Sequence, residues 1–238
     1  MQGSEKLKYR LKFTKNGNVR FIGHLDLMSL FNMAIKRAEL PIAYSEGFNP
    51  HQLISFALPL SLGYYSEGEY VDIALRTPLS CKAIVEALNK TMPVGLKILA
   101  AKKLENSEKS GASLVSACAY KVCLPSSIQV SAETAEDFIK QESIIIEKKT
   151  KKNLALTDIA PDIFSFSPKL TDRFAEEIDL CISAGANRSI RADSVMKALF
   201  EFAKQPYPEC GLKYIREEMY KGSKDNFRSL IYYPGSQI

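Results

Sequence analysis

Lys6-Leu7-Lys8-Tyr9-Arg10-Leu11-Lys12-Phe13 alternates without a break. Leu7, Tyr9, Leu11 and Phe13 fall on one side; Lys6, Lys8, Arg10 and Lys12 fall on the other. Side chains of a strand point to opposite faces in turn, so the run predicts a half-buried β-strand. One face meets a core and the other carries a row of four cations. Lys15-Asn16-Gly17-Asn18 then reads as a turn.

Working outward, His24 to Glu39 predicts a helix, with Leu27, Phe31, Ala34, Ile35 and Ala38 at helical spacing. Lys36 and Arg37 suit its C-terminal dipole, and Pro41 ends it. Ile42–Ser45 and Leu53–Ala57 read as extended pieces around a Gly47-Phe48-Asn49-Pro50 loop. Glu69–Leu75 alternates again. Ser80 caps a helix to about Thr91, and Gly95–Ala101 gives another strand. The order strand, helix, strand, strand, helix, strand is that of a ferredoxin-like βαββαβ unit. Residues 105–113 are polar, small and charged and read as a linker.

The second half gives a weaker copy of the pattern. Strands are expected over Ala117–Leu124, Ser143–Lys148, Phe174–Ser183 and Leu212–Tyr220, and helices over Ala132–Gln141 and Ala192–Lys204. Leu154–Thr171, with Pro161 and Pro168, reads as irregular. The expected class is therefore α+β: two ferredoxin-like βαββαβ units, at residues 1–104 and 114–238, with antiparallel sheets covered by helices on one face.

Four constellations carry chemistry. His24, Asp26 and His51 include both histidines of the chain. An imidazole beside a carboxylate does general acid–base work, so these three are the catalytic candidates. The alternatives are a helix-start residue, a first-turn acid and a loop residue; a metal site lacks a third strong ligand. Gly47-Phe48-Asn49-Pro50-His51 shapes a loop whose Phe48 could stack on a base and whose Asn49 could read one. Its other reading is a turn with Phe48 plugged into the core. Ser66–Glu69 forms a neighbouring loop, with Glu67 and Glu69 solvated or paired to Arg20.

The row Lys6, Lys8, Arg10 and Lys12 tracks phosphates if that sheet face is open. Otherwise it is a solvated or packed face. Tyr9 and Phe13 lie on the core side, which argues against base stacking there. Gly185–Arg191 joins a strand to a helix, with Ser189 or Asp193 as cap. It offers a phosphate seat through Arg188 and Arg191, or an ordinary helix start. Lys148–Lys152 reads as an exposed basic loop.

The pieces Val19-Arg20-Phe21-Ile22, His24-Leu25-Asp26, Leu40-Pro41, Tyr44-Ser45, Gly47-Phe48-Asn49-Pro50-His51, Ile54-Ser55-Phe56-Ala57 and Glu69-Tyr70 occur in a set order. In this the chain resembles the radical-SAM-linked protein family, whose members are fused to a radical SAM protein or encoded beside one. The resemblance is dense to about residue 100 and loose beyond. Gln52 stands where that family leads us to expect proline, and Ser29 where it leads us to expect a basic residue. The resemblance implies a radical SAM protein as partner, with the 4Fe–4S cluster and S-adenosylmethionine on that partner.

Composition narrows the rest. The net charge of +5 permits an anionic partner without demanding one. The five cysteines form no CxxC and no CxxxCxxC, so neither a disulfide framework nor a resident cluster is expected. The Met1–Lys6 stretch lacks an apolar leader, and no apolar run reaches membrane-spanning length, which leads us to expect a cytoplasmic protein with no membrane partner. Walker A, Rossmann, GxSxG and HExxH patterns are missing. The expectation is an accessory or substrate-binding protein working with a radical SAM enzyme on RNA or another anionic substrate, its site lined by Arg20, His24, Phe48, Asn49 and His51. RNA contacts are expected at Lys6, Lys8, Arg10, Lys12, Arg188 and Arg191. The alternative is a metal-independent RNA-processing enzyme, or an RNA-binding protein of the paired ferredoxin-like type.

Overall fold

The computed structural model describes residues 6–128, 130–149, 154–171, 174–186 and 188–231. The chain is a mixed α+β protein with mostly antiparallel strands and few helices. In order come β1 (Leu7–Lys15), α1 (His24–Arg37), β2 (Ile54–Phe56), β3 (Tyr65–Leu75), α2 (Cys81–Asn89) and β4 (Leu96–Lys103). Next are α3 (Gly111–Leu114), β5 (Ala117–Cys123), α4 (Ala132–Ile139), β6 (Ile145–Lys149), β7 (Leu154–Asp158) and β8 (Ile163–Thr171). Last are β9 (Phe174–Ser183), α5 (Ala192–Phe202), β10 (Lys213–Lys221) and β11 (Arg228–Ser229). Two compact units divide the chain: Met1–Val115 with Glu218–Ile238, and Ser116–Glu217. Among the described residues no helix is long and apolar enough to cross a membrane.

In the first unit β1 lies between β4 and β3, antiparallel to both. β2 pairs with β3 at Val71–Ile73. The alternation of β1 delivers Tyr9, Leu11 and Phe13 to a core shared with Leu27, Phe31 and Ile35 of α1 and Ile84 and Leu88 of α2. Phe13, Phe31 and Phe56 meet edge to face at 4.9–6.0 Å, the geometry the ring quadrupole favours. Ser80 caps α2 by accepting from the amide of Ala83. α1 stops at Arg37, two residues before the expected end. Glu39 adopts φ 52°, and the amides of Leu40 and Glu39 donate back to the carbonyls of Ile35 and Lys36. That pair of bonds is a Schellman stop.

The other face of β1 departs from the expected row of open cations. Arg10 is fully buried. The segment 108–111 and the carbonyl of Leu230 pack onto it, so the face is covered. Lys12 is half-buried and donates to Glu218 at 2.8 Å. Lys6 and Lys8 alone of the four are exposed.

The second unit places β9 between β5 and β8, antiparallel to both. Residues expected to be irregular, Leu154–Thr171, form β7 and all of β8. Pro161 lies in a single 3-10 turn, Ala160–Asp162, and Pro168 sits in β8 at the sheet's edge, where proline is tolerated. The strand expected over Ser143–Lys148 pairs with β7 in a separate hairpin instead of joining the sheet. Phe138 of α4 packs on Phe166 and Phe202. Of the basic run Lys148–Lys152, Thr150, Lys151 and Lys152 lie outside the described residues.

Candidate functional site: a cation-rimmed cavity in the first unit

The Gly47–Pro50 loop is closed by its two neighbours. Ser45 N–H donates to the carbonyl of His51 at 2.8 Å, and His51 N–H donates to Ser45 Oγ at 3.1 Å. Ser45 Oγ and His51 Nδ1 share a third bond at 2.8 Å, its direction set by the tautomer. Gly47 turns the loop at φ 111°, a conformation side chains resist. At the tip Phe48 is wholly exposed, with relative exposure of 105%, so it does not plug the core. Asn49 is exposed beside it.

Below this clamp lies a cavity of about 270 Å3. Leu53, Ile54, Ile73, Ala74 and Leu104 give it an apolar floor, and Lys6, Lys8, His51 and Gln52 stand among its polar walls. The chain thus brings together the start of the basic strand and the end of the loop motif. Two carboxylates, Asp72 and Glu108, also line it, and both are committed to cations. Arg10 donates to both oxygens of Asp72, Nε to Oδ1 at 2.7 Å and Nη2 to Oδ2 at 3.0 Å. Glu108 stands 3.6 Å from Arg10 and 3.4 Å from Lys102. Lys6 reaches Glu46 at 3.7 Å, an exposed pair of little strength. Lys8 has no ion pair among the described residues. The cavity therefore presents positive charge above an apolar base.

Gln52 adds an unusual group. Its amide donates to the carbonyl of Asn32 at 3.2 Å, while its Oε1 is buried with no hydrogen-bond partner among the described residues. Buried acceptors are ordinarily satisfied, so this oxygen is an exception in the cavity wall.

The other expected site residues lie elsewhere. His24 opens α1 and sets its ring on Phe56 at 5.4 Å, edge to face. Among the described residues no hydrogen bond or ring contact joins it to Asp26 or His51. Asn32, which Gln52 holds, is eight residues further along α1, or ~12 Å at 1.5 Å per residue. Gln52, next to His51, therefore meets α1 about two turns beyond His24. Arg20 lies over the rings of Phe21 and Tyr65 at 4.1 and 4.8 Å, rather than on Glu67 or Glu69. Glu67 instead accepts from Asn16, and Glu69 is buried.

In the second unit both arginines of the expected phosphate seat are engaged by acids. Arg188 bonds the buried Asp162 at 2.6 Å and the carbonyl of Asp158 at 2.8 Å. Arg191 holds Asp193 through two bonds at 2.8 and 2.9 Å. Arg191, not Ser189 or Asp193, takes the cap position, without a side-chain cap bond. Asn187 lies outside the described residues.

Among the described residues no cluster of three or more His, Cys, Asp or Glu could hold a metal. All five cysteines are free, and burial pushes the Cys181 thiol up to about 11. Sequence reasoning missed Gln52, the five floor residues and Glu108. The opposed charges of Arg10 and Asp72, directly across from one another in the β1–β3 ladder, were the signal that could have located the buried wall.

A family model described as an uncharacterized protein conserved in bacteria (DUF2344) matches residues 8–192. The chain belongs to the DUF2344 family. The matched span includes every lining residue of the cavity named above except Lys6. No curated protein matches this DUF2344 chain. Among solved structures, a chain of the "Crystal Structure of a Cbf5-Nop10-Gar1 Complex" is similar with TM-score 0.45 and 11% identity. The likeness covers 91% of the DUF2344 chain and 50% of the other, so this chain spans half that relative's length.

Proposed function

We propose that this DUF2344 protein is an accessory, substrate-binding protein that works with a radical SAM enzyme on RNA or another anionic substrate. The observation that carries the reading is the convergence of Lys6, Lys8 and His51 on one apolar-floored cavity. Cations rimming a concave apolar site are the arrangement that holds an anion by its charge and its body together. The ordered motifs from Val19 to Tyr70 support the partner: they resemble proteins fused to, or encoded beside, a radical SAM protein. On this reading the partner carries the 4Fe–4S cluster and S-adenosylmethionine. This chain contributes the substrate seat, in the cytoplasm. The wholly exposed Phe48 is a contact for the partner or its substrate.

The same reading takes both units as ferredoxin-like. In the first, β4-β1-β3 with β2 on β3 and the interleaved α1 and α2 support it. In the second, β5, α4, β8, β9, α5 and β10 follow the same order once the β6–β7 hairpin is set aside as an insertion.

Co-expression with a radical SAM protein from the same organism tests the proposal. The expected result is a complex that survives gel filtration and turns over S-adenosylmethionine in the partner, with product formation lost in Lys8→Glu. Two chains that elute apart, or a partner whose product yield is indifferent to this protein, would overturn it.

A further inference from the structure

We infer that the cavity takes a small amphipathic anion, a single apolar body bearing one carboxylate or phosphate, rather than a tract of nucleic acid. The inference rests on the substrate-binding reading above and narrows its substrate class. Size is the first argument. At about 270 Å3 the space lies just below the ~300–1,000 Å3 of ordinary small-molecule sites, so it encloses one compact group.

Chemistry is the second argument. Leu53, Ile54, Ile73, Ala74 and Leu104 offer a floor of aliphatic carbon. That lining holds no Phe, Tyr or Trp, and His51 is its one ring on which a base could stack. Charge is the third. Asp72 is neutralised by Arg10 and Glu108 is held by Arg10 and Lys102, which leaves Lys8, and Lys6 with only its weak exposed contact to Glu46, to meet an acid. Two cations suit one acidic group; a phosphate chain needs a longer track. The cations that would have extended such a track along β1 are withdrawn, Arg10 into the interior and Lys12 onto Glu218.

Octanoate, phenyl phosphate, inorganic phosphate and an oligouridylate, each titrated into the full chain by calorimetry, test this. Octanoate and phenyl phosphate are expected to bind at least tenfold more tightly than inorganic phosphate, which lacks a body. Oligouridylate is expected to bind no better than inorganic phosphate at physiological salt. Lys8→Glu, an exposed change that leaves the fold intact, is expected to weaken octanoate and phenyl phosphate at least tenfold. Ala74→Phe, which fills the floor, is expected to abolish both. Inorganic phosphate matching phenyl phosphate would overturn the role of the floor. Oligouridylate binding alone would make the ligand RNA, and binding unchanged in Lys8→Glu would put the site elsewhere. Failure of all four probes would remove the site. Phenyl phosphate binding without any radical SAM complex would sink the proposed function and leave this inference standing.

Discussion

Arg10 and Asp72 face one another across the β1–β3 ladder, and Arg10 donates two hydrogen bonds to the carboxylate, at 2.7 and 3.0 Å. The guanidinium is fully buried, and its fork matches the carboxylate bidentately. A third contact, to the carbonyl of Lys109 at 2.9 Å, ties segment 108–111 to the pair. Gly111 N–H donates to Asp72 at 2.8 Å from the same segment. The ion pair is thus both a buried strut and the anchor of one cavity wall.

Removing Asp72 strips the buried Arg10 of its two closest charge contacts and leaves it only the longer one to Glu108 at 3.6 Å. Asp72→Ala is expected to destabilise the protein by ~3–5 kcal/mol. Replacing both, Arg10→Met with Asp72→Leu, is expected to cost much less than either single change, because no orphan charge remains. Urea unfolding of the two singles and the double closes the cycle. A double mutant as unstable as the sum of the singles would deny the coupling.

Tyr70 gives a pH dependence with a definite sign. Burial, helped by the neighbouring carboxylate of Glu218, pushes its phenol well above the ordinary tyrosine value. Its hydroxyl donates to Glu218 Oε1 at 2.6 Å. A raised phenol pKa means that the folded state favours the neutral form. The stabilisation is therefore complete below the ordinary value of ~10 and is lost as pH rises above it. Stability measured from pH 8 upward is expected to fall beyond about pH 10. Tyr70→Phe should flatten that fall while costing ~0.5–1.5 kcal/mol at neutral pH for the lost hydrogen bond. An unchanged alkaline limb in Tyr70→Phe would assign the loss to other groups.

Glu39 closes α1 in the left-handed region, at φ 52°, where a side chain costs ~1–2 kcal/mol that glycine avoids. Both Schellman bonds run from backbone amides and need no side chain at this position. Glu39→Gly is expected to raise stability by ~0.5–1 kcal/mol, the strain relieved being offset in part by glycine's greater freedom when unfolded. Thermal melts would show it as a small upward shift, and a lower melting temperature would refute it.

How much of this was legible in the sequence varied with the range of the cause. The alternation of Leu7–Phe13 and the stripe of Leu27, Phe31 and Ile35 are local patterns, and they lead directly to β1 and α1. The fate of Arg10 is not local. It depends on the register that sets Asp72 opposite, and on residues 108–111 and 230, far off in the chain. Ile163–Thr171 was hidden by Pro161 and Pro168, which read as breakers unless the strand is known to lie at an edge. The cavity was illegible because its floor comes from Leu53, Ile73 and Leu104, which only the fold brings together. The loop from Gly47 to His51 was visible as a motif, yet periodicity could not say whether Phe48 pointed in or out.

That loop separates structure from contact in one experiment. His51 and Ser45 form the neck, linked by three hydrogen bonds, two of them through the serine hydroxyl. Phe48 at the tip touches no core. Ser45→Ala is expected to lower stability by ~1 kcal/mol or somewhat more, one to two exposed hydrogen bonds being lost. Phe48→Ala is expected to leave stability within ~0.5 kcal/mol, because a surface side chain without packing contributes little. If the tip is a docking element, Phe48→Ala should instead weaken association with the proposed radical SAM partner at least tenfold, read by calorimetry on purified chains. Equal stability losses in the two variants would show that Phe48 packs in solution. A Phe48→Ala protein that binds its partner as wild type does would leave the exposed ring without a role in that contact.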